Sequence, residues 1–177
     1  MTVTHEAVGE VIEHIFTTSP SVSSDFVRFG LEHCGLLTEV TISVYEDVFT
    51  YGQVMDMFFW LVDSTGHRLN MRTPGWSKAL ELCKQLQDAI DWCTLSPYQF
   101  DGEEDIQIAL SRRIDVSESD LRMAMNRDID SEFLRIFERL SEEWELVSPI
   151  LLGVATGQIN PDNQLLKHLL QPSAGNS

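Results

Sequence analysis

Basic residues are scarce in this chain: 12 lysines and arginines stand against 28 aspartates and glutamates, a formal net charge of −16 over 177 residues. Nucleic-acid binding draws on cations that displace phosphate counterions, and anionic membrane attracts the same cations. A body this acidic is expected to engage neither, and to meet another protein, one that is basic or partly unfolded. Cysteine is scarce too. Cys34, Cys83 and Cys93 are an odd number without a C-x-x-C pair, which fits reduced, mostly buried thiols better than a disulfide framework. Long apolar runs are missing: the longest candidate, Met57 to Val62, has the length of a strand, well short of the roughly 18 residues of a membrane span. The N-terminus carries His5, Glu6, Glu10 and Glu13 where a secretory signal would place Lys or Arg before an apolar run, so a cytoplasmic protein is expected.

Chemistry-bearing patterns are equally thin. His5, His14, His33, His67 and His168 never fall in an i, i+4 pair, and zinc needs three or four converging ligands. Asp128, Asp130 and Glu132 alternate like the start of a calcium loop, but Phe133 stands where the sharp turn needs Gly. The run from Asp101 to Asp105 reads as an acidic hairpin turn. His33 and Cys34 are adjacent, and on a helix neighbours point about 100° apart, so they make a poor dyad. No G-x-S-x-G elbow occurs, and no glycine cluster precedes a helix to cradle phosphate. Glu103/Glu104 and Glu142/Glu143 look like surface pairs. The expectation is no catalytic residue, no cofactor, no metal, and no enzyme activity.

What is present is an ordered series of patterns. Val8, Val11, Ile12, Ile15 and Phe16 recur at helical spacing and predict a first helix ending near Ser19-Pro20. A second helix is expected from Ser23 or Ser24 to Cys34, with Asp25 in its first turn and Gly35 stopping it. The period then becomes two: Thr38, Val40, Ile42 and Val44 alternate with polar residues as a half-buried strand. Gln53 to Val62 is nearly all apolar, interrupted only by Asp56, and reads as a central strand covered on both faces. Asp63 to Gly66 is a turn, with a short strand from His67 to Arg72. Ala79, Leu82, Cys83, Leu86, Ala89, Ile90 and Cys93 trace a helix that ends before Ser96-Pro97. Ile106, Ile108 and Leu110 alternate as another strand reaching Ile114. Leu121, Met123, Ala124 and Met125 open a helical last third. A long amphipathic stripe from Ile129 to Val147 is expected to break at Ser148-Pro149, and Asn160-Pro161 to cap a last helix through Leu170.

These elements predict an α+β fold: a small antiparallel sheet of about four strands packed by amphipathic helices, with extra helices at both ends. One domain is expected over residues 1–170. It divides into a helical N-terminal region (residues 1–35), an α/β body (residues 36–116) and a helical C-terminal region (residues 117–170), followed by a flexible tail at residues 171–177. The acid is not a tail. Residues 1–100 carry 13 acidic and five basic side chains, residues 101–145 carry 14 and six, and the rest balances Asp162 against Lys167.

The central strand offers the main candidate surface. Met55, Met57, Phe59 and Leu61 form one face, and Val54, Phe58, Trp60 and Val62 the other. Buried aromatics most often mean core. The other reading is an exposed patch of one sheet face with the loop Tyr45 to Tyr51, needing further helices or a second copy to cover it. Val54, Phe58 and Trp60, with Glu138, Glu142 and Glu145 on the long helix, are therefore the candidate partner-binding residues. From about Gln53 to Val147 the order is strand, turn, strand, Leu-rich helix, the aromatic-acidic turn Tyr98-Gln99-Phe100-Asp101-Gly102, alternating strand, Ser/Asp-capped segment and long helix. This layout resembles the fold shared by class I type III secretion chaperones and YbjN-type proteins. The resemblance implies a homodimer that holds a non-globular partner segment along apolar patches without ATP, and it carries over no individual residue. Three functions follow as expectations. The first is a chaperone- or adaptor-like protein-binding module. The second is an immunity or inhibitor protein that neutralises a basic toxin or nucleic-acid-binding enzyme, by DNA mimicry in its extreme form. The third is an enzyme or small-molecule sensor, which would need a ligand pocket between sheet and helices lined by Met55, Met57 and Phe59.

Overall fold

The computed structural model describes residues 3–33, 35–49, 52–88, 90, 92–99, 105–116 and 131–161. The first helix, α1 (His5–Phe16), starts where Thr4 caps it, its hydroxyl accepting from the amide of Ala7 at 3.3 Å, and Val8, Val11 and Ile12 form its buried stripe. Two tethers hold it to the sheet. Gln53 exchanges hydrogen bonds with the backbone of Val3, and His5 Nε2 accepts from the amide of Val44 at 3.0 Å. Val44 lies past the last residue of its strand that the neighbouring strand pairs, so the histidine satisfies a ladder donor that would otherwise have no strand partner.

Six strands form one fully antiparallel sheet: β1 (Ser21–Val22), β2 (Val27–His33), β3 (Leu36–Glu46), β4 (Gln53–Trp60), β5 (Thr94–Tyr98) and β6 (Gln107–Asp115), in the order β1-β2-β3-β4-β6-β5. The α+β class matches the sequence expectation, but the sheet is larger than the four strands expected. The helix expected from Ser23 to Cys34 is instead β2. The chemistry that suggested a helix cap serves a turn: the Ser23 hydroxyl accepts from the amides of Asp25 and Phe26, while the Ser23 amide donates to the Phe26 carbonyl, closing β1 onto β2. Gly35, at φ 77°, supplies the left-handed residue between β2 and β3.

Two further helices are described, α2 (Trp76–Gln87) and α3 (Glu132–Ala155). The helix expected to run on to Cys93 stops at Gln87, because that side chain bridges to the segment that follows. Its amide nitrogen donates to the carbonyls of Ile90 and Cys93, and its oxygen accepts from the amide of Leu95. The chain therefore turns into β5, whose Pro97 is tolerated because β5 is an edge strand. The strand expected at His67–Arg72 is reduced to a single bridge, Val62 to Arg68. In α3 the helix runs through Pro149 instead of breaking there. Leu151, Val154 and Ala155 are all buried beyond the proline, and that burial offsets the roughly 3 kcal/mol an interior proline costs. The expected helices at residues 121–125 and 162–170, Cys34 and the tail lie outside the described residues.

Register sorts the side chains onto two faces. Val27 and Phe29, Val40 and Ile42, Met55, Met57 and Phe59 share one side, and the three described helices pack on it in the main core. On the other side Trp60, Val62 and Ala109 form a separate small cluster with Phe58 and Tyr98, and no described helix covers them.

Candidate partner-binding groove

The uncovered face pairs most of its own polar groups, although the buried Arg28 Nε, 3.5 Å from Glu39, makes no hydrogen bond. Asp56, the polar interruption of β4, sits directly across from Arg113 on β6 and binds it through two hydrogen bonds, 2.9 and 3.1 Å long. The Tyr45 hydroxyl donates to the same carboxylate at 2.5 Å, and burial plus that bond push the phenol up to about 12. The same neighbour holds the Arg113 guanidinium above its usual range. Trp60 is 1% exposed. Its indole nitrogen donates to Thr41 Oγ1 at 3.0 Å, it stacks on Phe58, and the Arg68 guanidinium lies over its ring at 4.1 Å. Arg68 is in turn held by Glu39 and Gln107. Tyr98 meets Ser111 through their hydroxyls, 2.5 Å apart.

Among the candidates on this face, Val54 and Trp60 are buried and only Phe58 is partly open. The hollow beside Phe58, Tyr98 and Arg113, about 450 Å³, is lined by polar side chains such as Asp56, Ser111 and Arg112 together with the two rings. Beyond it, the tip of the β3–β4 turn leaves Val48 and Phe49 exposed, the latter at 88%, while Thr50 and Tyr51 of the same loop lie outside the described residues.

Glu138, Glu142 and Glu145 are brought together elsewhere, on one flank of α3 at i, i+4 and i+7 spacing. That flank borders a groove of about 680 Å³. Its apolar floor is Phe16, Leu31 and Phe137; Phe16 and Phe137 are in ring contact at 4.7 Å, and both touch Phe29 below. Glu32 also lines the groove, but it stands one residue past Leu31, so strand alternation sends its side chain to the other side of the sheet, and the α3 flank is the acidic bank. A small cleft of about 30 Å³ shares Leu31, Ser141 and Glu145 and extends the strip toward Leu36 and Ser148. Spacing in the sequence points to the three α3 carboxylates but not to the floor. It puts Phe16 on the first helix and Leu31 on an expected second helix, and nothing in it sets them side by side. The signal that would find the floor is the alternation of Val27, Phe29 and Leu31, which marks a strand.

The sheet's far end holds the thiols. Cys93 donates to Glu143 Oε2 at 2.9 Å, and Arg139 and Arg112 lie over the two sides of this region on Trp92. Burial, and then the carboxylate, raise the Cys93 thiol; burial alone pushes Cys83 up to about 11. Both are held as thiols, so neither is poised as a nucleophile. Among the described residues, no group of three or more His, Cys, Asp or Glu is placed to hold a metal ion. Among them too, no helix is long and apolar enough to cross a membrane. No protein-family model, curated protein or solved structure matches this chain.

Proposed function

We propose that this protein is a non-enzymatic binding module, chaperone- or adaptor-like, that holds a segment of a partner polypeptide. The observation that carries the reading is the groove beside α3: a concave apolar floor, open to solvent, in a body whose other sheet face pairs most of its polar groups with one another. The type III secretion chaperone-like or YbjN-type fold, a homodimeric state and a cytoplasmic setting belong to the same proposal. The dimer is checked by light scattering across a concentration series; a strict monomer would remove it.

The test is affinity capture of the tagged protein from its own lysate, run beside a Leu31→Asp variant at low and high salt. A protein retained by the wild type at high salt and lost by the variant supports the reading. Failure of the wild type to retain any protein refutes it. The carboxylates along the α3 bank favour one second reading, an inhibitor that neutralises a basic toxin or nucleic-acid-binding enzyme. Capture of a folded basic enzyme whose activity disappears in the complex, with binding weakened by salt, would favour that reading over the first.

A further inference from the structure

We infer that the α3 groove is built for a cationic amphipathic segment of another polypeptide. Its large apolar side chains would seat on Phe16, Leu31 and Phe137, and its lysines or arginines would range along the acidic α3 bank. This rests on the protein-binding reading above and adds the chemistry of the occupant.

Three features of the molecule argue for it. The first is shape. The groove and its adjoining cleft follow α3 from Phe137 to Ser148, about 16 Å of helix axis, enough for a short segment with several anchoring side chains. It is open on the sheet side because β1 pairs only with Val27 and Arg28, so no described strand runs along the outer edge of β2 where Leu31 lies, its other edge being paired to β3. The second is the distribution of charge. Glu138, Glu142 and Glu145 stand along the α3 bank, with no Lys or Arg among the described lining residues. A neutral apolar segment entering here would strip water from carboxylates and return nothing, whereas a cationic one compensates them. The third is contrast with the other face of the sheet, where Arg28, Arg68 and Arg113 are matched by Glu39 and Asp56. That face carries its cations and carboxylates together, whereas the described lining of the groove carries carboxylates alone, so a partner's cations complement it.

The probe is a synthetic leucine–lysine peptide of amphipathic helical period, compared with leucine–glutamate and serine–lysine peptides of equal length. Fluorescence anisotropy should show binding of the leucine–lysine peptide and much weaker binding of the other two. Glu138→Lys/Glu142→Lys should weaken it by about tenfold or more. The control Glu10→Lys/Glu81→Lys changes net charge equally at exposed positions on α1 and α2, and should weaken it by no more than about twofold. Equal losses in the two double variants would mean diffuse attraction and overturn the proposal. So would serine–lysine binding as tight as leucine–lysine, or no binding by any peptide. Circular dichroism confirms that the surface variants stay folded. The two levels separate cleanly: a lysate partner retained equally by wild type and Glu138→Lys/Glu142→Lys keeps the protein-binding reading and removes this one.

Discussion

The two faces of the sheet use the same local device to different ends. On the helix-covered face, the Trp144 indole donates to Thr38 Oγ1 at 3.0 Å; on the uncovered face, the Trp60 indole donates to Thr41 Oγ1 at the same distance. Both tryptophans are buried, but by different means. Trp144 is carried on α3 and sits in the main core, whereas Trp60 lies under Arg68, an arginine from a turn. One face is closed by packing, which gains with every apolar atom buried. The other is closed by a polar network that pairs most of its own groups. An uncovered sheet face is therefore not automatically a binding face. What stays open is the seam where the covering layer stops, between α3 and β2.

Neighbouring phenylalanines on β4 put the largest effect on this contrast. Phe59→Ala, on the covered side, is expected to cost about 3–5 kcal/mol, and Phe58→Ala about 1–2 kcal/mol because its ring is only partly buried against Trp60 and Tyr98. Urea melts of the two variants measure the difference. Equal losses would mean that the two faces are equally closed.

A second way to strain the covered face is at Gly75, where α2 begins against the end of α3. The glycine amide donates to the Ala155 carbonyl, and an added Cβ would fall 2.2 Å from the Val154 carbonyl oxygen. Both obstructing atoms are backbone and cannot swing aside, so Gly75→Ala should cost about 1–3 kcal/mol in thermal or urea unfolding. A neutral result would show that the two helix ends are not docked closely.

The paired tryptophans allow a finer comparison. Thr38→Val leaves a buried indole N–H without its acceptor and should cost about 1–3 kcal/mol. Thr41→Val removes the acceptor of both the Trp60 indole and the Arg68 Nη2 at a site at least as buried, and should cost about as much in the same urea melts.

The smallest effect is expected from pH. The folded Tyr45 phenol titrates near 12, above its ordinary value of 10, since burial and Asp56 both favour the protonated form. Its contribution to stability is therefore fully present below pH 10 and is lost as pH rises from 10 toward 12. Tyr45→Phe should erase the late step in a phenolate absorbance titration. An unchanged titration curve would place that step on another tyrosine.

These contrasts also mark how far the amino-acid pattern alone reaches. The period-two stretch Thr38 to Val44 and the two-sided β4 declare themselves, because alternation and continuous apolarity report burial directly. The long stripe from Phe133 to Val147 does so for the same reason. Val27, Phe29 and Leu31 alternate just as clearly, yet Ser23 and Asp25 imitate a helix start, since a serine that accepts amides two and three residues on serves either structure. Both prolines mislead for tertiary reasons. Pro97 is harmless only because β5 is an edge, and Pro149 only because the turn after it is buried, facts that no local window contains. The groove divides in the same way. Its carboxylates lie on one helix and are legible as a spacing, while its floor is assembled from α1, β2 and α3.

The most direct test of the account is amide chemical-shift mapping of the labelled protein titrated with the leucine–lysine peptide. Shifts concentrated at Leu31, Glu32 and the stretch from Phe137 to Glu145 are the predicted result. Shifts concentrated instead at Phe58, Tyr98 and Arg113 would contradict it and make the uncovered face of the sheet the binding surface.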